Sequence, residues 1–381
     1  MSSTPDIARH GRHSTRRTSI LDGWARTRQF LRGPATLVIA VDIALILLFS
    51  IISPGHAFAT RRDFTNMGLD AAELVLFAAA VTFLLAAGEL DISIGSNVIL
   101  SSVVGAKVVV AVGGTSLSHY GVYHHLFRGI AAGVAACVLT GVAFGLVNAF
   151  LVTWLRINSF ITTLATAGIG YGLSLVLTNG SDVPGLPQQL QTSFGVRNVL
   201  GGIPLPALVT AIAVVGLWFT LSKTRFGLRT LAIGSSRDAA ERAGLRVPSH
   251  LVILFVIVGA AAGIGGVIDI SRFATTNVGG HQTDALSAIA GTVIGGTSLF
   301  GGAGSIVGAV AGAGLAVLLE TGLVIQGLTP FYQQIAVGCV LLAAVYIRSR
   351  SGAGDHRRTR RHGRAPGRPV DSASKTDNRR R

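Results

Sequence analysis

The sequence predicts an all-α, polytopic transmembrane helical bundle of about ten spans, and three observations predict it. Half of the 381 residues are hydrophobic and only 13% are charged, and the mean hydropathy is +0.58, outside the balance of a soluble domain. Uncharged runs recur that are long enough to cross about 30 Å of hydrocarbon at about 1.5 Å per residue. The 49 glycines, with many alanines and serines, suit close helix–helix approach in lipid, where small residues let backbones meet.

Residues 1–34 form a basic tail carrying Arg9, Arg12, Arg16, Arg17, Arg26, Arg28 and Arg32. The first apolar run is full length and has no small-residue cleavage pattern after it, so it is expected to stay as an anchor rather than be removed as a signal peptide. The runs fall at about 35–53, 69–87, 94–112, 129–151, 159–178, 205–222, 250–268, 283–299, 304–322 and 330–347. The eighth and ninth are separated only by Phe300-Gly-Gly-Ala303, so they also read as two half-spans of one broken segment. The transmembrane domain is therefore 35–347, and residues 348–381 form a second basic tail, expected to be disordered. Pro184, Pro187 and Pro204 mark 179–203 as a loop where no helix continues. Gly113-Gly-Thr-Ser-Leu117 recurs as Gly295-Gly-Thr-Ser-Leu299 five spans later. That is either chance identity or the trace of two five-span inverted halves with broken helices.

Charge orients this arrangement. Seven arginines precede the first run, six Lys/Arg lie in 223–250 and twelve follow Ile347, whereas the opposite loops hold Arg61, Arg62, Arg128, Arg197 and Arg272. By the positive-inside rule both termini are cytoplasmic, in a plasma (inner) membrane. Tails of this charge can also bind nucleic acid, but orienting the spans is the simpler role, so lipid and not nucleic acid is the expected partner.

No catalytic constellation is visible. There is no Gly-x-x-x-x-Gly-Lys-Ser/Thr phosphate loop, His-Glu-x-x-His run or Cys-x-x-Cys pair, so no ATP site, metal or cofactor is expected in this chain. Cys137 and Cys339 each lie in an apolar run, too few for a disulfide framework. His119, His124 and His125 read as exposed loop histidines. Asp42, Glu73, Lys107 and Glu320 are the ionisable candidates inside the runs, thin support for the alternative of a proton-coupled secondary transporter. Uphill transport would otherwise draw on another chain.

Two segments between the runs are better marked. In Gly88-Glu-Leu-Asp-Ile-Ser-Ile-Gly-Ser96, Asp91 stands just ahead of a helix and can cap it, with Ser93 and Ser96 competing. Gly88 and Gly95 permit a turn, so the stretch reads as a charged hinge. Glu89 has no role assigned. In the loop Lys223–His250, Ser235 followed by Asp238 resembles a capping box, and Gly244 supplies a left-handed stop. A two-turn helix from Ser236 to Ala243 follows. It either docks into a partner or lies at the membrane surface joining two spans.

Together these segments resemble the permease subunits of ribose-type ABC importers, within the branched-chain amino acid/sugar permease superfamily. The Gly88–Ser96 stretch is similar to their Gly-x-Ile-Asp-Leu-Ser-Val-Gly-Ser signature. Asn158-Ser-Phe-Ile-Thr-Thr-Leu-Ala-Thr166 with Tyr171–Thr178, and Thr224–Arg229 with Ala232–Gly244, resemble their fifth-span and coupling segments. Ile294–Ser305 and Pro330-Phe-Tyr-Gln-Gln334 resemble their C-terminal half. The resemblance covers about residues 35–347. It implies import of a monosaccharide such as ribose, xylose or galactose by alternating access; a branched-chain amino acid or another small polar solute is the alternative. The implied partners are an ABC ATPase that carries ATP and Mg, an extracytoplasmic sugar-binding protein, and a second permease copy or paralogue. Ser235, Ser236, Arg237, Asp238, Glu241, Arg242 and Gly244 would then couple to the ATPase. Asn158, Phe160, Thr162, Thr163 and Thr166, with Asn97 and Asn148, are candidates for the substrate pathway. The same hydroxyls can instead bond their own helix or join neighbours. One departure is that Ala285-Leu-Ser-Ala-Ile-Ala290 replaces a Glu-Leu-Asp-Ala-Ile-Ala run, leaving Asp284 as the acidic residue there.

Overall fold

The computed structural model describes residues 34–54, 58, 60–114, 123–199, 201–329 and single positions at 332, 335, 338, 339 and 342. Both basic tails, most of the run at 330–347, His119 and the 115–117 part of the repeat lie outside the described residues. Among the described residues, eight helices are long and apolar enough to cross a membrane. They are α1 (Pro34–Ile52), α2 (Arg61–Ala86), α3 (Ile94–Gly113), α4 (Leu126–Thr153), α5 (Ser159–Thr178), α6 (Leu205–Lys223), α9 (Val247–Phe273) and α11 (Ile306–Ile325). Two short helices, α7 (Arg225–Ser235) and α8 (Arg237–Arg242), connect α6 to α9. The loop at 179–204 holds one helical turn, a π-helical turn at Gln191–Gly195, and the antiparallel pair β1 (Asn198–Val199) and β2 (Ile203–Pro204).

The eighth expected span is not whole. Helix α10 (Asp284–Ile294) has 11 residues, about 16 Å at about 1.5 Å per residue, and so half a crossing. The chain then runs irregularly through 295–305 before α11 begins. The pair of half-spans is therefore also corrected: α10 alone is short, and α11 is a continuous helix of 20 residues.

Helix α2 is the centre. Its residues from Leu76 to Ala86 are almost wholly buried, which fits a helix apolar on every side. Lipid tails give no hydrophobic gain for helix association, so close contact and interhelical hydrogen bonds hold such a bundle. Helices α4 and α9 meet through Gly141 and Gly145 against Gly259 and Gly263, and α10 and α11 through Gly291 and Gly295 against Gly312 and Gly308. Threonines fix neighbours to α2: Thr210 of α6 donates to the Ala72 carbonyl at 2.8 Å and Thr292 of α10 to that of Ala78 at 3.1 Å. Helix α1 is peripheral and exposes most of its length; Phe49 anchors it against Phe58 and Gly322.

Candidate functional site

The hinge after α2 is an unwound segment, exposed at Gly88, half-buried at Glu89, Leu90 and Ile92, and buried at Asp91 and Ser93. Gly88 adopts φ +81°, a left-handed stop open to glycine; its amide bonds Leu85, and that of Glu89 bonds Leu84, both at 2.9 Å. Buried irregular backbone must find partners away from water, and side chains of α5 provide them. The amides of Leu90 and Ile92 donate to Ser159 Oγ and Thr163 Oγ1, each at 3.2 Å. The Ser93 amide donates to Asp91 Oδ1 at 2.8 Å. Asp91 therefore closes a turn one step before the helix instead of capping it. Ser93 occupies the cap position of α3 without a side-chain capping bond, and Ser96 donates back to the Ser93 carbonyl. Gly95 is not a turn residue either: it lies in α3, and any Cβ there would run into the His281 carbonyl.

The hinge residues and several pathway candidates form one hydrogen-bonded chain. Ser93 Oγ donates to Asp91 Oδ1 at 2.6 Å, Asn148 Nδ2 donates to Ser93 Oγ at 2.8 Å, and Thr166 Oγ1 donates to Asn148 Oδ1 at 2.7 Å. It joins the hinge to α4 and α5, and all four residues are buried. The remaining candidates separate. Asn97 donates to the Gly141 carbonyl between α3 and α4, and Thr163 donates to Ser159 within α5. Asn158 does not face the interior; it caps α5, accepting from the amides of Phe160 and Ile161. Phe160 is exposed whereas Thr162, Thr163 and Thr166 are buried, so its ring does not join them. Of this set Thr162 keeps a buried hydroxyl without a hydrogen-bond partner.

A carboxylate that is 3% exposed and holds both an amide and a hydroxyl is costly to remove. Asp91→Ala is expected to destabilise the protein by about 1–3 kcal/mol, because both donors lose their acceptor. Asp91→Asn keeps an acceptor oxygen and is expected to lose less than half of that. Thermal melts in detergent read the difference, and identical melting of wild type and both variants would remove Asp91 from the hinge.

Helix α8 begins one residue later than the sequence suggested. Helix α7 continues through Ser235, whose hydroxyl donates to the Leu231 carbonyl at 2.9 Å, and Ser236 is the cap, accepting from the Ala239 amide at 3.3 Å. Gly244, at φ +84°, ends it as expected. Within α8 only Ala240 is buried, so Arg237, Asp238, Glu241 and Arg242 face outward. Arg237 Nη1 lies 3.3 Å from Glu89 Oε1 while its Nε lies 3.6 Å from Glu241. Glu89 is thus the hinge's contact with α8. No local pattern could have shown this, since 148 positions separate the partners. The base of α7 is fixed as well. Thr230 Oγ1 lies 2.8 Å from His250 Nε2 of α9, and Gly234 packs on the Ala86 carbonyl, which also accepts the Gly302 amide at 3.0 Å. The ends of α2, α7 and the 295–305 segment therefore meet at one point.

A second buried polar cluster gathers Glu73 of α2, Asp269 of α9, Asp284 of α10 and His281. Glu73 is thirteen residues from the end of α2, roughly 20 Å from the hinge at about 1.5 Å per residue.

The architecture defines a polytopic α-helical membrane protein in which a small outward-facing helix is tied to an unwound hinge. The family described as branched-chain amino acid transport system / permease component matches residues 64–345, and the chain belongs to it. It is 30% identical over 303 residues to the D-allose transport system permease protein of Escherichia coli K12, covering 80% of this chain and 88% of that one. It is 33% identical over 312 residues to the ribose import permease protein of Bacillus subtilis 168, covering 81% and 91%. The L-arabinose transport system permease protein of Escherichia coli K12 is 33% identical over 312 residues, covering 81% and 88%. No solved structure matches the chain. As a permease component the chain is a multi-pass transport subunit and not an enzyme.

Proposed function

We propose that this chain forms the membrane pathway of an ATP-driven ABC importer for a monosaccharide, with α7, α8 and both termini on the cytoplasmic face. The observation that carries the reading is the Arg237–Glu89 link, which connects an outward-facing charged helix to the unwound hinge. An ABC ATPase, binding ATP and Mg2+ on its own chain, docks on Asp238, Glu241 and Arg242. Its closure moves α8, and Arg237 passes that displacement to the hinge and so to the Asp91–Ser93–Asn148–Thr166 chain. A second permease copy and an extracytoplasmic sugar-binding protein complete the importer. That receptor supplies selectivity, so the permease itself needs only weak binding. Thr162, with its free buried hydroxyl, is the pathway candidate best able to meet a sugar. The relatives named for allose, ribose and arabinose support a sugar over a branched-chain amino acid.

The test is co-reconstitution with the cognate ATPase and binding protein in proteoliposomes. ATP is expected to drive uptake of the sugar that the binding protein holds, with none when either partner is omitted. Uptake driven by a proton gradient without the ATPase would overturn the reading.

A further inference from the structure

We propose that Glu73, His281 and Asp284 form a site for a divalent transition-metal ion of the zinc class, with Asp269 orienting the histidine. The site is separate from the hinge and does not depend on the substrate assigned above. His281 lies in the turn before α10 and is buried. Its Nδ1 is 2.8 Å from Asp284 Oδ2 and 3.7 Å from Glu73 Oε2, and one donor atom from each residue lies within 4.8 Å of the others. Two ligands on a tetrahedral zinc ion, with bonds of about 2.0–2.1 Å, stand about 3.3 Å apart. The observed separations straddle that spacing, so small side-chain shifts bring three ligands round one ion.

The other face of the imidazole supplies an independent argument. His281 Nε2 lies 3.2 Å from Asp269 Oδ1. Asp269 is fully buried, and among the described residues neither its two oxygens nor His281 Nε2 has a hydrogen-bond partner. A carboxylate behind the non-ligating nitrogen is the usual means of fixing a histidine's tautomer and ring orientation for a metal. Here it would keep the proton on Nε2 and leave Nδ1 free to bind. Charge points the same way. Two buried carboxylates, Glu73 and Asp269, and the partly exposed Asp284 face one imidazole, while the neighbouring guanidinium, Arg272, is engaged with Asp70. An imidazolium offsets one of those charges; a divalent ion offsets two and leaves Asp269 accepting from a neutral ring. Uncompensated charge in so closed a place is costly. Glutamate, aspartate and imidazole together suit borderline ions of the zinc type. An ion there would clamp α2 to α10, with α9 behind it, well away from the α8 contact.

The experiment uses the full chain purified in detergent, stripped with a chelator and titrated with Zn2+, and separately with Co2+ for its ligand-field absorption. Other histidines, His124 and His125 among them, can also take metal, so the comparison is between wild type and variants. Wild type is expected to bind one more Zn2+ per chain than His281→Gln, to melt at a higher temperature once loaded, and to give a tetrahedral Co2+ spectrum that the variant lacks. Asp269→Asn is expected to bind about 10–100-fold more weakly, as loss of an orienting partner does. Asp284→Asn, at a partly exposed position, carries the same comparison if His281→Gln fails to fold. Equal Zn2+ stoichiometry and equal Co2+ spectra in wild type and variants would overturn the site.

Discussion

Gly234→Leu is expected to abolish ATP-driven uptake, and Gly234→Ala to lower it at least about tenfold, the scale of a coupling free energy of about 1–3 kcal/mol. The reason is backbone against backbone. A Cβ at Gly234 would overlap the Ala86 carbonyl and come within 2.6 Å of the Gly302 amide. Side chains can swing aside, but these two groups are bonded to each other at 3.0 Å, so the added carbon must separate α7 from the hinge and from the 295–305 segment. Overpacking of this kind costs about 1–3 kcal/mol, and the α2 core lies away from it, so the bundle is expected to stay folded. Gly216 of α6 is the control, because a Cβ there meets nothing within 4 Å. Gly216→Ala should melt at or above the wild-type temperature, by up to about 1 kcal/mol of helix preference, and transport normally. Wild-type uptake by Gly234→Leu would show that the α7–hinge contact transmits nothing.

How much of this was legible in the sequence follows from the range of each interaction. Hydropathy placed the eight long helices because a span is a local property of about twenty residues. The end of α8 was legible because Gly244 acts alone. Its start was misplaced by one residue, since nothing local tells whether α7 includes Ser235. The break after α10 was hidden for a related reason. After Asp284, residues 285–299 carry no charge and read as one continuous run, and the conformation of Gly296, at φ +112°, shows that the helix has stopped. Two placements could have been read from the sequence. Asn158 stands immediately before an apolar run, the usual place of a cap, and a period of 3.6 residues sets Phe160 on the other face from Thr162 and Thr166. The Arg237–Glu89 pair and the grouping of Glu73, Asp269, His281 and Asp284 were invisible. Each needs segments far apart in the chain to be packed first, and neither Glu89 nor His281 carries a local signature.

Reversing the charge at either end of the Arg237–Glu89 pair is expected to reduce uptake about tenfold with little change in melting, within the range of about 1–3 kcal/mol known for coupling between sites. The two readouts separate because the pair is worth little as a stabilising contact. Arg237 is 47% exposed, and ion pairs of that kind contribute about 0–1 kcal/mol. Its proposed work is to keep α8 and the hinge moving together. Glu89→Arg sets two cations against each other, and Arg237→Glu sets a carboxylate against both Glu89 and Glu241, which lies 3.6 Å from Arg237. The double variant Glu89→Arg/Arg237→Glu restores opposite charges across the contact and should recover much of the uptake. Recovery should be incomplete, since Glu241 then faces a carboxylate where it had a guanidinium. ATP hydrolysis by the reconstituted complex identifies which step fails. Uncoupling predicts that the single variants still stimulate the ATPase while uptake falls; loss of both would place Arg237 in the docking surface instead. If the double variant transports no better than the singles, the two side chains do not act as a pair, and the hinge must receive its signal through the Gly234 contact alone.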